Sequence, residues 1–188
     1  MTLLRNVQVK SPWLFGFAQV VFSIAGECGR LGVIHIERIL FPTDFSELSL
    51  HGLKYARSFA ESYSATLHLI HVVDEASLYW MAMGPNSLPV GPSTEELVEI
   101  SRKEMEKFIG EHLADLSAPP VTEVRMGRPF MEIINYARDQ TIDLIVIGTH
   151  GRSGLQHALL GSVAEKVVRK APCPVLTIRH PEHDFVMP

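Results

Sequence analysis

From residue 36 onward, short apolar runs alternate with longer stretches of helical period. Residues 36–41, 65–73, 121–125, 143–147 and 175–178 read as five strands. Runs such as Leu144-Ile145-Val146-Ile147 have no polar face, as expected of strands buried on both sides. Asp44-Phe45-Ser46-Glu47 reads as a capping box with Asp44 at the N-cap. It predicts a helix that buries Leu48, Gly52, Tyr55, Ala56, Phe59 and Ala60. Ser93-Thr94-Glu95-Glu96 caps a second helix that runs to about residue 113. Pro129 suits the first turn of a third, with Phe130, Ile133, Ile134 and Ala137 as its apolar stripe. Ser162-Val163-Ala164-Glu165 opens the fourth, with Ser162 as its N-cap. Five strands with four intervening helices predict an α/β fold with a parallel sheet covered on both faces. Right-handed crossovers make that sheet doubly wound.

One connection stands out. Between the fourth strand and the fourth helix lies a long loop with Gly148, Gly151, Gly154 and Gly161. A loop of that length in a compact α/β unit is usually functional. Glycines let backbone N–H groups turn inward, and a helix start adds partial positive charge, so the segment suits phosphate. The alternative is that these glycines only turn the chain, and the glycines alone do not decide. No Gly-Lys-Ser or Gly-Lys-Thr stands at Walker spacing, and no Gly-x-Gly-x-x-Gly follows the first strand.

Composition narrows the classes. The chain has 188 residues, 46% of them hydrophobic, which suits one domain with an ample core. A formal net charge of −4 gives no basic footprint for nucleic acid. Cys28 and Cys173 form neither a disulfide framework nor a metal-binding pair. Cys173, between two prolines, reads as a small buried side chain. No apolar run spans a bilayer cleanly, so no membrane partner is expected.

Residues 1–35 do not fit the alternation. Arg5 and Lys10 precede an apolar stretch from Trp13 to Phe22, and Ser23-Ile24-Ala25 resembles a small-residue cleavage site. A secretory signal, an N-terminal extension, a start site near Val33 and a membrane-surface anchor are all open readings, with the extension preferred. The expected division is an extension over 1–35 outside the fold, a domain over 36–180 and a tail over 181–188.

A second signal joins the glycine loop. Ile39-Leu40-Phe41-Pro42-Thr43-Asp44-Phe45-Ser46 together with Gly148-x2-Gly151-x9-Gly161-Ser162 resembles the ATP-binding branch of the universal stress protein family. His68-Leu69-Ile70-His71-Val72-Val73-Asp74 and Pro172-Cys173-Pro174-Val175-Leu176 match it as well, in the same order. The resemblance covers about residues 36–180. It implies a Rossmann-like sheet of order 3-2-1-4-5, which sets strands one and four side by side where the order reverses. Ligands of open α/β sheets bind at that point. It further implies a cytoplasmic, single-domain stress-response or signalling module that binds ATP, with or without magnesium. Such a module is a homodimer through its last strand.

By that resemblance the nucleotide-binding residues are Pro42, Thr43, Asp44, Val72, Ile147, Gly148, Gly151, Arg152, Gly161, Ser162 and Val163. Asp44 would face the ribose or a phosphate-bound metal beyond its capping role. Val72 would line the adenine slot beyond its place in a strand. Ser162 and the N–H of Val163 would meet phosphate, and Arg152 would neutralise it. His150 has no carboxylate to orient it, and no nucleophile–base pair is visible, so no catalytic residue is expected. His68 and His71, at odd spacing on a strand, point to opposite faces. The alternative is a slow ATP hydrolase or nucleotidyl-transfer enzyme on the same scaffold.

Overall fold

Ile39, Leu40 and Phe41 are consecutive and all fully buried. Successive side chains of a strand point to opposite faces, so their sheet must be covered on both. The computed structural model describes residues 19–21, 34–74, 93–149 and 160–179. Among them the strands are β1 (Gln19–Val21), β2 (Arg38–Pro42), β3 (Thr66–Asp74), β4 (Val121–Gly127), β5 (Leu144–Gly148) and β6 (Val175–Ile178). The helices are α1 (Glu47–Tyr63), α2 (Thr94–His112), α3 (Pro129–Asp139) and α4 (Ser162–Lys170).

The sheet runs β1-β6-β5-β2-β3-β4. The pairs β6–β5, β5–β2, β2–β3 and β3–β4 are all parallel. Those five strands are the doubly wound sheet of order 3-2-1-4-5 expected from the sequence. Ile39, Phe41, Leu144, Val146, Leu176 and Ile178 face α1 and α2, where Leu53, Ala56, Met105 and Phe108 complete one core layer. Leu40, Ile145, Ile147 and Val175 face α3 and α4, against Ile133, Tyr136, Ala164 and Val167. Each large apolar side chain buried this way contributes roughly 1.5–3 kcal/mol.

One strand was not expected. β1 belongs to the segment placed outside the domain, yet it pairs antiparallel with β6, setting Gln19 opposite Thr177 and Val21 opposite Val175. The edge of β6 carries backbone donors and acceptors that need partners, and β1 supplies them. The division at residue 36 therefore leaves out one strand of the sheet.

Helix starts also differ from expectation. The N-cap of α1 is Ser46, not Asp44: the Ser46 hydroxyl accepts from Ser49 N at 3.2 Å. The buried face of α1 is Ser49, Gly52, Leu53, Ala56 and Ala60. Tyr55, expected inside, is exposed. Likewise Gly161, in extended conformation, is the N-cap of α4 and Ser162 its first helical residue. The Ser93 box on α2 and Pro129 at the start of α3 are as expected. Arg152, Gly151 and His150, the connection over 75–92 and the tail over 181–188 lie outside the described residues.

Candidate nucleotide site at the switch point

The order reverses between β2 and β5, and a proline opens the gap there. Thr43 N donates to Ile70 O of β3 at 2.9 Å. Successive N–H groups of a strand point to opposite sides, so the nitrogen of Pro42 faces β5 and has no proton to donate. The β2–β5 register accordingly stops at Leu40 and Ile145, while β2–β3 continues to Pro42 and Ile70. The two central strands part at their carboxyl ends, where a ligand crevice belongs.

On the β2 side the chain folds into a tight polar knot. Thr43 Oγ1 accepts from Phe45 N at 3.0 Å and lies 3.1 Å from Ser49 Oγ. Asp44 Oδ1 accepts from Ser46 N at 3.1 Å and from Ser46 Oγ at 2.6 Å. Asp44 therefore closes a local turn instead of capping the helix directly. Phe45 sits at φ 61°, a region that costs a residue with a side chain roughly 1–2 kcal/mol. Its ring stacks on His71, centroids 4.4 Å apart, and meets Phe108 edge-on at 5.6 Å. His71 Nδ1 also lies 2.8 Å from Thr43 O, tying β3 to the knot. Sequence reading gave Phe45, Ser49 and His71 no role at the site. The signal was an aromatic between Asp44 and Ser46 where a turn needs a small residue.

On the β5 side, Thr149 N donates to Ile178 O at 2.9 Å, and Thr149 O accepts from Gly161 N at 2.6 Å. This last bond closes the base of the glycine loop and brings the start of α4 to the end of β5. Because the Gly161 N–H is used there, Gly161 has no backbone donor left for a ligand. The donors left without an intrahelical partner are the N–H groups of Ser162, Val163 and Ala164, in the first turn of α4. Glu165 N is already taken by Gly161 O at 3.0 Å.

Pro42, Thr43, Asp44, Ile147, Gly148, Gly161, Ser162 and Val163 thus come from adjoining ends of β2, β5 and α4. Val72 is half-buried on β3 and packs on the α3–α4 side. α1 also reaches this end: a Cβ on Gly52 would come within 3.8 Å of Gly148 N.

Two polar groups belong to the core and not to the crevice. His68 is buried, with Nδ1 2.9 Å from the Tyr136 hydroxyl, on the face opposite His71 as the spacing predicted. Burial, then the charge of Arg38, holds its pKa below the ordinary 6.5. Burial pushes the Cys173 thiol up to about 12, so it stays protonated and unreactive.

A doubly wound parallel sheet parted at its order reversal, with the start of α4 drawn to the end of β5, defines a Rossmann-like α/β protein with a crevice at its switch point. The profile of the universal stress protein family matches residues 35–179, and the chain belongs to that family. It is 34% identical over 151 residues to universal stress protein MJ0531 of Methanocaldococcus jannaschii, spanning 79% of this chain and 85% of that one. Universal stress protein MJ0577 of the same organism is 33% identical over 156 residues, spanning 76% and 94%. The solved structure of MJ0577 superposes with a TM-score of 0.65 at 32% identity, covering 79% of this chain and 98% of that one. Universal stress protein UspA from Lactobacillus plantarum superposes with a TM-score of 0.63 at 29% identity, covering 77% and 99%. No helix among the described residues is long and apolar enough to cross a membrane.

Proposed function

We propose that the protein is a cytoplasmic regulatory module that holds ATP, with or without magnesium, in the crevice between β2 and β5. The observation that carries this reading is the first turn of α4, whose N–H groups have no partner within the helix, beside the parted strands. Three backbone donors with the helix's partial positive charge suit an anionic phosphate chain. Gly161 contributes the lack of a side chain at that approach, because its N–H closes the loop. Ser162, exposed, and Val163 then meet phosphate, and Gly151 and Arg152 extend the phosphate contacts from the loop. Pro42, Thr43 and Asp44 border the ribose, with Val72 and Ile147 toward the base. The homodimer expected through β6 belongs to the same reading and requires β1 to yield the edge it holds.

Titration calorimetry with ATP tests it. The unmodified protein is expected to bind, and Gly161→Val, whose extended φ tolerates a side chain, is expected to fold and lose binding. Equal affinity in a folded Gly161→Val protein overturns the phosphate assignment. Nucleotide released on denaturing the purified protein separates a holder from a hydrolase, as intact ATP or ADP.

A further inference from the structure

We infer that Phe45 is a positioning residue for the ligand: its ring, wedged between β3 and α2, fixes the turn that holds Asp44 at the crevice. Phe45 stands inside the turn that Asp44 closes. Its own N–H donates to Thr43 Oγ1 at 3.0 Å. Asp44 Oδ1 reaches across it to Ser46 N at 3.1 Å and Ser46 Oγ at 2.6 Å. An aspartate that closes a turn in this way mimics a backbone turn. Phe45 fills the position with positive φ, at 61°, where glycine or asparagine is usual. A phenylalanine in that conformation persists only where its surroundings hold it.

The groups that hold it belong to two other elements. On one side the ring stacks on His71 of β3, with centroids 4.4 Å apart and planes inclined by 28°. On the other it meets Phe108 of α2 edge-on, at 5.6 Å and 62°. His71 is itself fixed, with Nδ1 2.8 Å from Thr43 O; a carbonyl only accepts, so Nδ1 carries the proton. Phe108 is buried and meets His112 edge-on at 5.0 Å. The rings of His71, Phe45, Phe108 and His112 thus form a continuous line from β3 to the last turn of α2. Without this seat the Phe45 backbone relaxes toward negative φ, and Asp44 Oδ1 loses its hold on Ser46. The packing of Phe108 therefore acts on the ligand from outside the crevice, through Phe45 and Asp44. Such coupling is reciprocal, so a ligand that engages Asp44 steadies α2 around Phe108 by the same factor. This inference rests on the Asp44 part of the proposed function and not on its phosphate part.

Calorimetry on the full chain, with ATP and with inorganic triphosphate, tests it. In Phe45→Gly the turn keeps its conformation at no steric cost but loses its anchor. In Phe108→Leu the core keeps a large apolar side chain but loses the ring edge. Each folded variant is expected to bind ATP on the order of 10-fold more weakly than the unmodified protein. Each is expected to bind triphosphate, which reaches the α4 donors alone, with unchanged affinity. A purely structural role would lower stability and leave both affinities as they are. That result overturns the inference and leaves the nucleotide site standing. Equal losses of ATP and triphosphate affinity overturn it too, because the damage would then extend beyond Asp44. An unmodified protein that binds no ATP overturns the nucleotide reading and this inference with it. Hydrogen exchange on the unmodified protein decides even where a variant fails to fold. ATP is expected to slow the amides of residues 105–112 more than those of α3, which packs on the opposite face of the sheet. No change, or an equal slowing of both helices, overturns the coupling.

Discussion

At the residue scale, the polar groups near the sheet divide into those that face the crevice and those that serve the core. His68 is of the second kind. Its ring stands against Tyr136 with Arg38 nearby, and both burial and that charge disfavour the imidazolium. The folded pKa is lowered, so on acidification the unfolded chain takes up a proton that the folded chain refuses. Stability contributed by neutral His68 is complete above pH 6.5 and is lost as pH falls through the lowered folded value. Urea denaturation at pH 7.5 and pH 5.5 is expected to show less stability at the lower pH. His68→Asn keeps a polar group near the Tyr136 hydroxyl but cannot titrate, so it should be weaker at neutral pH and less sensitive to acid. An unchanged pH dependence in that variant would assign the acid sensitivity to other groups. The odd spacing of His68 and His71 foretold their opposite faces, but not the partners, because Tyr136 lies 68 positions away.

At the element scale, helix caps connect local sequence to the site. Ser46 and Ser93 both accept from the backbone of the helix they open. Replacing either with alanine is expected to cost about 1 kcal/mol of stability. Only Ser46 also donates to Asp44, so only Ser46→Ala should change ATP affinity as well. Equal nucleotide affinity in the two variants, by calorimetry, would separate the Asp44 turn from binding. The sequence placed every strand of the parallel sheet: β2, β3, β5 and β6 by their apolar runs, and β4, which is exposed or half-buried throughout, by the Pro119-Pro120 break before it and the Gly127 turn after it. It misplaced two helix starts by one or two residues. Asp44 and Ser162 satisfy the spacing of a capping box, but spacing does not say which of several polar residues takes the extended conformation. β1 was hidden for a different reason: its three residues lie within a longer apolar stretch, and pairing at a sheet edge leaves no periodic mark over so short a run.

At the scale of the whole molecule, the crevice is made of two halves that share no local sequence. Asp44 belongs to the β2–α1 turn, and Gly161 belongs to the start of α4, across the parted strands. A ligand that bridges both halves depends on each of them, whereas a phosphate held by α4 alone would ignore Asp44. ATP at one hundred times its dissociation constant stabilises the folded state by about 2.7 kcal/mol. For a domain of this size each kcal/mol is worth roughly 2–4 °C, so melting is expected to rise by about 5–10 °C. Asp44→Asn keeps an amide oxygen able to close the turn with Ser46 but removes the charge. It and Gly161→Val should each melt near the unmodified protein without nucleotide and each lose most of the ATP-induced rise. Inorganic triphosphate separates the contributions, because it can reach the α4 donors without engaging a ribose. It should still shift Asp44→Asn and fail to shift Gly161→Val. A full ATP-induced rise in Asp44→Asn would confine the ligand to the α4 side, and the convergence of the two motifs on one crevice would then be structural alone.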